Sequence, residues 1–411
     1  MSSVIKKVPK LRFREFSGEW QEKKLGTVAD VRDGTHESPK YVLEGKPLVT
    51  SKNLLKNGKL DLNNVDHISN KDFEDINKRS GVNIGDILFG MIGTLGNPVR
   101  VKSNDFAIKN VALIKQNGEL LNSYLIQYLG SANIDKQFFQ RNAGGTQKFM
   151  ALGVIRDLTI RLPNKVEQKK IAGFLEVIDE KIGKLQKKNE LLEKYKKGIM
   201  QKIFSQQIRF KDENGKSYPG WEEQRLDDVG NTYNGLQGKS ADDFGEGKPF
   251  ITYKQIFDNS RVDISKSGSV SVGDNEKQNR VRRGDAFFTT SSETPEEVGF
   301  ASVLLDEVNN TYLNSFCFGF RMSEDFLPEF ARFLFRSDDF RKSMVRLAQG
   351  STRYNISKVG FLKTKILLPT KKEQQKIAEF LTSLDDKIKL EESRLEQAKQ
   401  FKKALLQQMF V

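Results

Sequence analysis

Apolar residues recur at alternating steps of three and four along two separate stretches of the chain, a spacing typical of the contact seam of a coiled coil. The first stretch carries Ile171, Leu175, Ile178, Ile182, Leu185, Leu192 and Ile199, and the second carries Ile377, Leu381, Leu384, Ile388, Leu395 and Leu405. Each stretch predicts one long helix whose apolar stripe needs a partner. We expect the two helices to pair as an antiparallel coiled coil; pairing between two copies of the chain is the alternative.

Asn189 interrupts the apolar seam of the first predicted helix. A polar residue at such a position commonly fixes the register of a coiled coil at some cost in stability. The alternative is an exposed polar side chain on a stripe that drifts around the helix. The sequence alone does not decide between these two interpretations.

The two helical stretches belong to an internal repeat. Residues 163–204 align without a gap to residues 369–410 at an offset of 206 positions, with roughly two positions in five identical. This offset is close to half of the 411-residue chain, so the repeat is the whole half-molecule. We expect two similar bodies related by a pseudo-two-fold axis, an arrangement that suits a target with two halves.

Outside the helical stretches, each half alternates short apolar runs with turn residues, which predicts a mixed domain of strands and helices. The matched landmarks are a strand entering a polar loop (Pro47–Leu54, Pro249–Ile256), a turn before a buried strand (Gly85–Phe89, Gly284–Phe288), a helix (Ser123–Phe139, Leu327–Leu347), a Gly-rich loop (Ala143–Lys148, Ala348–Arg353) and a last strand (Leu158–Leu162, Lys365–Leu368). The predicted fold class is α+β or α/β, with two globular domains (residues 1–163 and 208–369) separated by two helical spacers (164–207 and 370–411).

Composition narrows the choice of partner. The formal net charge is +14 and the isoelectric point is near 9.4, which makes nucleic acid the first candidate partner; a merely soluble basic protein is the alternative. The single cysteine, Cys317, lies in an apolar run and is expected to be a small core residue in a reducing compartment. No apolar stretch is long enough for a membrane span and no signal-peptide core is present, so we expect a soluble, cytoplasmic protein.

The chain offers little catalytic chemistry. Its two histidines, His36 and His67, have no ligand-like spacing, so no metal site is expected. The triplet Gly238–Ser240 supplies only the end of a phosphate-binding loop and is interpreted as a turn. The Asn-Pro-Pro-aromatic motif of amino-methyltransferases is absent. On its own the chain is expected to be non-catalytic and to carry no cofactor.

The repeated motifs resemble a known family. The segments Glu167–Leu175 with Asp179–Ile182, and Glu373–Leu381 with Asp385–Ile388, resemble the helical regions of type I restriction-modification specificity subunits. The openings of the two halves, Leu11–Trp20 and Ile208–Trp221, and the loop Gly350–Ser357 are also similar to that family. The resemblance covers the whole chain, although the first Gly-rich loop lacks the Arg and Asn-Ile-Ser ending of the second.

The resemblance implies a subunit that directs other proteins. Each globular domain would be a target-recognition domain that reads one half of a bipartite, asymmetric site in double-stranded DNA. The paired helices would set the gap between the halves and dock two methyltransferase subunits, which carry S-adenosylmethionine and methylate adenine. Restriction-translocase subunits would join through the methyltransferase subunits, and the complex would be cytoplasmic and nucleoid-associated in a bacterium.

The polar loops that follow the matched strands are the predicted DNA contacts, because amide and cationic side chains read base edges and phosphates. The candidates are Thr50, Ser51, Lys52, Asn53, Thr94, Lys109, Asn110, Gln147 and Lys148 in the first domain, and Thr252, Tyr253, Lys254, Gln255, Thr289, Thr290, Ser291, Ser292, Asn314, Ser351, Thr352, Arg353 and Tyr354 in the second. For each residue alone, an ordinary turn or solvent-facing role is the alternative.

Two other function classes stay open at this stage. The chain could be a remnant of a methyltransferase-endonuclease enzyme, which would bind S-adenosylmethionine by itself. It could also be a coiled-coil scaffold that contacts DNA without sequence preference. A scaffold of this kind would be unaffected by exchange of residues 208–369 for another recognition domain.

Overall fold

The computed structural model describes residues 8–141 and 149–410, and the chain divides into two compact units. Unit 1 comprises Met1–Lys187 together with Glu392–Val411, and unit 2 comprises Lys188–Glu391. Each unit therefore contains one globular domain and a part of each long helix. Among the described residues, no helix combines the length and the apolar character that crossing a bilayer would require.

Unit 1 contains two four-stranded sheets. Its elements are β1 (Gln21–Lys24), α1 (Leu25–Val28), β2 (Ala29–Asp33), β3 (Tyr41–Val42), β4 (Lys46–Val49), β5 (Asp66–Ile68), α2 (Asn70–Ser80), β6 (Ile87–Gly90), β7 (Gly96–Arg100), β8 (Ala107–Ile108), β9 (Val111–Gln116), α3 (Asn122–Leu129), α4 (Ala132–Arg141), α5 (Leu152–Arg156), β10 (Thr159–Leu162) and the first part of α6 (Lys165–Phe204). One sheet has the order β2-β9-β6-β7 and the other the order β3-β5-β4-β8, in which β4 and β8 are parallel. Strands β1 and β10 form a separate antiparallel pair.

Unit 2 repeats this arrangement. Its elements are β11 (Glu222–Arg225), β12 (Gly230–Asn234), β13 (Phe244–Ile251), α7 (Tyr253–Asp258), β14 (Gly268–Val270), β15 (Asp285–Thr289), β16 (Ser291–Ser292), β17 (Ala301–Val303), β18 (Tyr312–Leu313), β19 (Cys317–Met322), α8 (Pro328–Leu334), α9 (Asp338–Leu347), β20 (Tyr354–Asn355), α10 (Lys358–Leu362), β21 (Lys365–Leu368) and the first part of α11 (Lys371–Met409). The order β12-β19-β15-β17 matches the first sheet of unit 1, and β13 and β18 are again parallel. The predicted fold class and internal repeat are confirmed.

The long helices pair within each unit. In unit 2, Lys188 contacts Glu391 at 2.8 Å and Lys196 contacts Asp385 at 2.5 Å, so residue numbers rise along α6 as they fall along α11. This order makes the pair antiparallel. In unit 1, Lys402 on α11 contacts Asp179 on α6 at 2.5 Å. All fourteen residues of the predicted seam, Asn189 included, are buried or half-buried.

Asn189 is half-buried, and its Oδ1 atom is buried without a hydrogen-bond partner among the described residues. A buried polar atom without a partner costs stability, which a solvated side chain would not. The geometry therefore favours the interpretation of Asn189 as a polar residue of the seam.

A buried carboxylate at the start of each long helix holds the opening of the same half. Glu167 is fully buried and accepts two hydrogen bonds from the Arg12 guanidinium, both at 2.8 Å, and one from Trp20 Nε1 at 3.3 Å. Arg209, Trp221 and Glu373 repeat this arrangement, with Arg209 to Glu373 distances of 3.1 and 2.6 Å. The aromatic and basic openings of the two halves are thus explained by their attachment to α6 and α11.

The glutamine that follows each buried glutamate ties the helix to the domain backbone. Gln168 accepts a hydrogen bond from the Leu121 amide and donates to the carbonyl oxygens of Glu119 and Pro163. Gln374 makes the same three bonds with Leu327, Asp325 and Pro369. Both side chains are almost fully buried, and these bonds give a partner to the oxygen and to the nitrogen of each amide, as buried polar atoms require. The repeated Glu-Gln pair is therefore structural.

The structure corrects two local predictions. Each helix predicted as continuous, around Ser123–Phe139 and Leu327–Leu347, is two helices; in unit 2 the second begins where the Ser337 hydroxyl accepts a hydrogen bond from the Phe340 amide. Serine favours helix starts because its oxygen satisfies a free amide. The segments predicted as polar loops are also helical: a 3₁₀ turn follows β4 at Ser51–Asn53, and α7 follows β13. Cys317 is buried in the core as predicted, and burial raises the pKa of its thiol.

We expect Glu373→Gln to lower the free energy of unfolding by about 3 kcal/mol, because the substitution leaves the Arg209 charge without its buried partner. Chemical denaturation of the full chain, followed by circular dichroism, measures this loss. The matched control is Glu379→Gln, an exposed glutamate on the same helix, which should change stability by less than about 0.5 kcal/mol. Equal effects of the two substitutions would contradict the role given to the buried carboxylate.

Candidate nucleic-acid interface

Three predicted contact loops of unit 1 lie at one edge of a sheet. Strands β4 and β8 are parallel and pair Val49 with Ile108, so Thr50 and Lys109 leave neighbouring strands at the same end. The Ser51 hydroxyl joins the loops: it donates to the Asn110 carbonyl at 3.1 Å and accepts from the Met91 and Ile92 amides. The segment that leads to Thr94 is thereby held beside the other two loops.

Unit 2 gathers its predicted loops at the equivalent edge. Parallel strands β13 and β18 pair Ile251 with Leu313, which places Thr252 next to Asn314. Tyr253 donates its hydroxyl proton to the Ser291 carbonyl at 2.8 Å. Loops that are 38 positions apart in sequence (Tyr253 and Ser291) or more therefore meet in space.

The Gly-rich loop of unit 2 joins the same edge through a short ladder. Strand β16 pairs antiparallel with β20, which sets Ser292 opposite Tyr354. The Ile356 amide donates to the Thr290 carbonyl at 3.0 Å. Residues Ser351 to Tyr354 are thus fixed beside Ser291 and Ser292. In unit 1, Gln147 and Lys148 lie outside the described residues.

Several predicted contacts are buried and hold their own loops. Asn53 is 2% exposed: its Oδ1 accepts from the Thr50 amide and its Nδ2 donates to the Asn64 carbonyl. In unit 2, Gln255 holds its own loop in the same way: its Nε2 donates to the Lys266 carbonyl and its Oε1 accepts from the Asp263 amide. Ser51, Thr289 and Ser292 are also buried. We propose that these five side chains shape the interface rather than contact DNA.

The remaining candidates are partly or fully exposed. They are Thr50, Lys52, Thr94, Lys109 and Asn110 in unit 1, and Thr252, Tyr253, Lys254, Thr290, Ser291, Asn314, Ser351, Thr352, Arg353 and Tyr354 in unit 2. Lys52 and Lys254 are held by Asp66 and Asp258, at 3.2 and 3.0 Å, in exposed ion pairs. Such pairs contribute little and exchange readily for a phosphate.

Two groups of side chains, one at the sheet edge of each unit, were not predicted from the sequence. In unit 1, the His36 ring lies 2.7 Å from Asn110 Oδ1 and 2.8 Å from Asp33 Oδ2, and Lys109 reaches the Tyr41 hydroxyl at 3.3 Å. In unit 2, Glu293 and Phe316 share a cleft with Tyr253 and Arg353. Glu293 and Phe316 adjoin predicted loop residues in sequence, whereas no sequence signal placed His36 and Tyr41 beside Asn110 and Lys109.

Groups that could hold a metal or a nucleotide do not assemble in the part of the chain that the structure describes. Three or more metal-binding side chains never cluster there. Lys239, in the triplet that ends like a phosphate-binding loop, directs its amine to Glu276 at 2.7 Å and Asp243 at 3.6 Å. A phosphate would have to displace two carboxylates from this amine. The polar groups at the sheet edges suit an extended polyanion better.

Comparison with known proteins places both halves in one family. The family model described as type I restriction modification DNA specificity domain matches residues 17–194 and again residues 218–400. The chain is 26% identical, over 364 residues, to the type I restriction enzyme MjaVIII specificity subunit of Methanocaldococcus jannaschii. That alignment covers 83% of this chain and 82% of the relative.

Solved structures share the fold. The S subunit of a type I restriction-modification system from M. genitalium superposes with a TM-score of 0.58 at 17% identity, covering 98% of this chain and 99% of that one. A chain from a structure on complex assembly and conformational transition of the type I R-M system gives 0.60 at 18% identity, covering 96% and 98%. At such identities the likeness supports the fold alone.

The pKa of His36 is raised above its ordinary value, chiefly by the hydrogen bond to Asp33 and then by that to Asn110. Protonated His36 should therefore stabilise this edge below pH 6.5, and the stabilisation should be lost as pH rises through the folded-state pKa. Proton NMR of the imidazole can follow the titration, since the chain has only two histidines. Asp33→Asn should lower the pKa of His36; an unchanged titration would contradict the assignment of Asp33 as the main cause.

Proposed function

Since the chain belongs to the type I restriction-modification DNA specificity family, matched in both halves, we propose that each globular domain reads one half of a bipartite site in double-stranded DNA. The observation that carries this proposal is the meeting of separated polar loops at the same sheet edge in both units. The edges are built alike and carry different side chains. Two recognition domains that share one fold but differ in their exposed side chains suit a target whose two halves differ in sequence.

The paired helices are proposed to set the gap between the half-sites. Helix α6 runs over 40 residues and α11 over 39 without a break. A continuous helix has a fixed rise per residue of about 1.5 Å, so its length defines a fixed spacing. The buried Glu167 and Glu373 contacts support this function, because helices that set a spacing must be firmly attached to the domains from which they start.

We further propose that the helices dock two methyltransferase subunits. Tyr195 and Phe401 occupy equivalent positions of the repeat, and both rings are more than half exposed, at 53% and 56%. Tyr195 belongs to the helix segments of unit 2 and Phe401 to those of unit 1. An exposed aromatic residue at matching points is a suitable anchor for one copy of the same partner on each unit.

The chemistry of modification would lie on those partners. In this proposal the methyltransferase subunits bind S-adenosylmethionine and methylate adenine, restriction-translocase subunits join through them, and this chain contributes recognition without catalysis. The complex would work in the cytoplasm on nucleoid DNA. Lys187, Lys194 and Lys197, exposed on α6, could add to the attraction of either DNA or a partner.

A methylation map tests the proposal. The chain is expressed with an adenine methyltransferase subunit from the same source in a host without methylation, and the modified bases are sequenced. We expect one bipartite motif with a fixed gap and one methylated adenine on each strand. Scattered or absent methylation, while the proteins still co-purify, would mean that the chain is a scaffold. Binding of S-adenosylmethionine by this chain alone would favour the enzyme-fragment alternative.

A further inference from the structure

A cleft of about 540 Å³ opens at the sheet edge of unit 2, among the loops that carry the predicted contacts. Its lining includes Tyr253, Ser291, Phe316 and Arg353, which come from four separate segments of the chain, together with Glu293. Tyr253 and Ser291 are fixed to each other by the hydrogen bond described above. The cleft is therefore formed by segments that the fold of unit 2 holds together.

Glu293 and Arg353 are unpaired charges in this cleft. Both residues are exposed, and among the described residues neither side chain has an ion pair or a hydrogen bond. They line the same cleft, yet no ion pair joins them. Glu297, the other carboxylate of the cleft, is used differently, because its Oε2 accepts a hydrogen bond from Ser292 at 3.0 Å. Glu293 and Arg353 are thus the two charged groups left available to a ligand.

The Glu293 carboxylate disfavours a phosphate in this cleft. Glu293 would repel the DNA backbone, whereas an arginine alone would attract it. Among DNA groups, a carboxylate can accept a hydrogen bond only from the exocyclic amines of base edges, and its usual partner is cytosine N4. Arginine pairs with the O6 and N7 atoms of guanine. The opposite charges of the cleft therefore match the two bases of one pair.

We propose that this cleft reads a G·C base pair in the major groove, with Arg353 on guanine and Glu293 on cytosine. The proposal rests on the proposed function of the chain and adds the base pair and the two residues that read it. The first domain has no counterpart of Glu293, since Thr94 stands at that position when Gly85–Phe89 is aligned with Gly284–Phe288. The cleft should thus affect only one half-site.

The test compares methylation maps of the full chain, co-expressed with the methyltransferase subunit, for Glu293→Gln, Arg353→Met and a control. In Glu293→Gln the amide can donate as well as accept, so it no longer selects cytosine strictly, and with Arg353 still on guanine the preference for the G·C pair should weaken rather than switch to another base pair. Discrimination at that position should fall roughly 10- to 100-fold. Arg353→Met should relax the guanine of the same pair, and the other half-site should stay unchanged.

The control is Glu296→Gln, on the same loop but outside the cleft lining, which should leave the motif as in the unsubstituted chain. An unchanged motif in Glu293→Gln would overturn the proposal, as would half-sites that contain no G·C pair. A uniform loss of methylation in Arg353→Met, with the motif intact, would also overturn it by making Arg353 a phosphate contact. In each of these outcomes the bipartite motif persists and the proposed function stands; a chain with no motif at all would refute both.

Discussion

The buried carboxylates of Glu167 and Glu373 are the contacts on which the rest of the architecture depends. Each lies in the first turn of a long helix, where an acidic group is favoured by the helix dipole, and each receives an arginine and a tryptophan from the opening of its own half. An ionised carboxylate without partners could not remain buried. Domain and helix therefore order together, and the direction in which the helix leaves the domain is fixed.

Within each unit, buried groups hold the fold and exposed groups at the sheet edge can vary. In each unit the glutamine amide, Gln168 or Gln374, bonds the start of the long helix to the backbone of the domain. The parallel strands of the same unit end at the sheet edge, where the polar loops begin. Buried side-chain amides such as those of Asn53 and Gln255 stabilise the loops by hydrogen bonds to the loop backbone. Exposed side chains at the edge can then differ between units without loss of the fold, as the proposed reading of two different half-sites requires.

Periodicity and repetition made much of this architecture predictable. The seam of α6 and α11 and the matched strands were evident because such signals extend over many residues. The partners of Glu167 were not, since Arg12 lies 155 positions away and residue type does not encode such a contact. Burial of Asn53 and Gln255 was missed for a similar reason: a polar residue in a loop can face water or its own backbone. Glu293 was overlooked because an acidic residue argues against DNA until its position in a cleft is known.

In the proposed function, each globular domain reads its own half-site on a common frame. Exchange of residues 208–369 for the matching region of another family member, one that keeps an arginine and a tryptophan at the positions of Arg209 and Trp221, tests this claim most directly. A methylation map of the hybrid should show one half-site replaced, with the other half-site and the gap retained. A hybrid that changes both half-sites, or neither, would contradict the account.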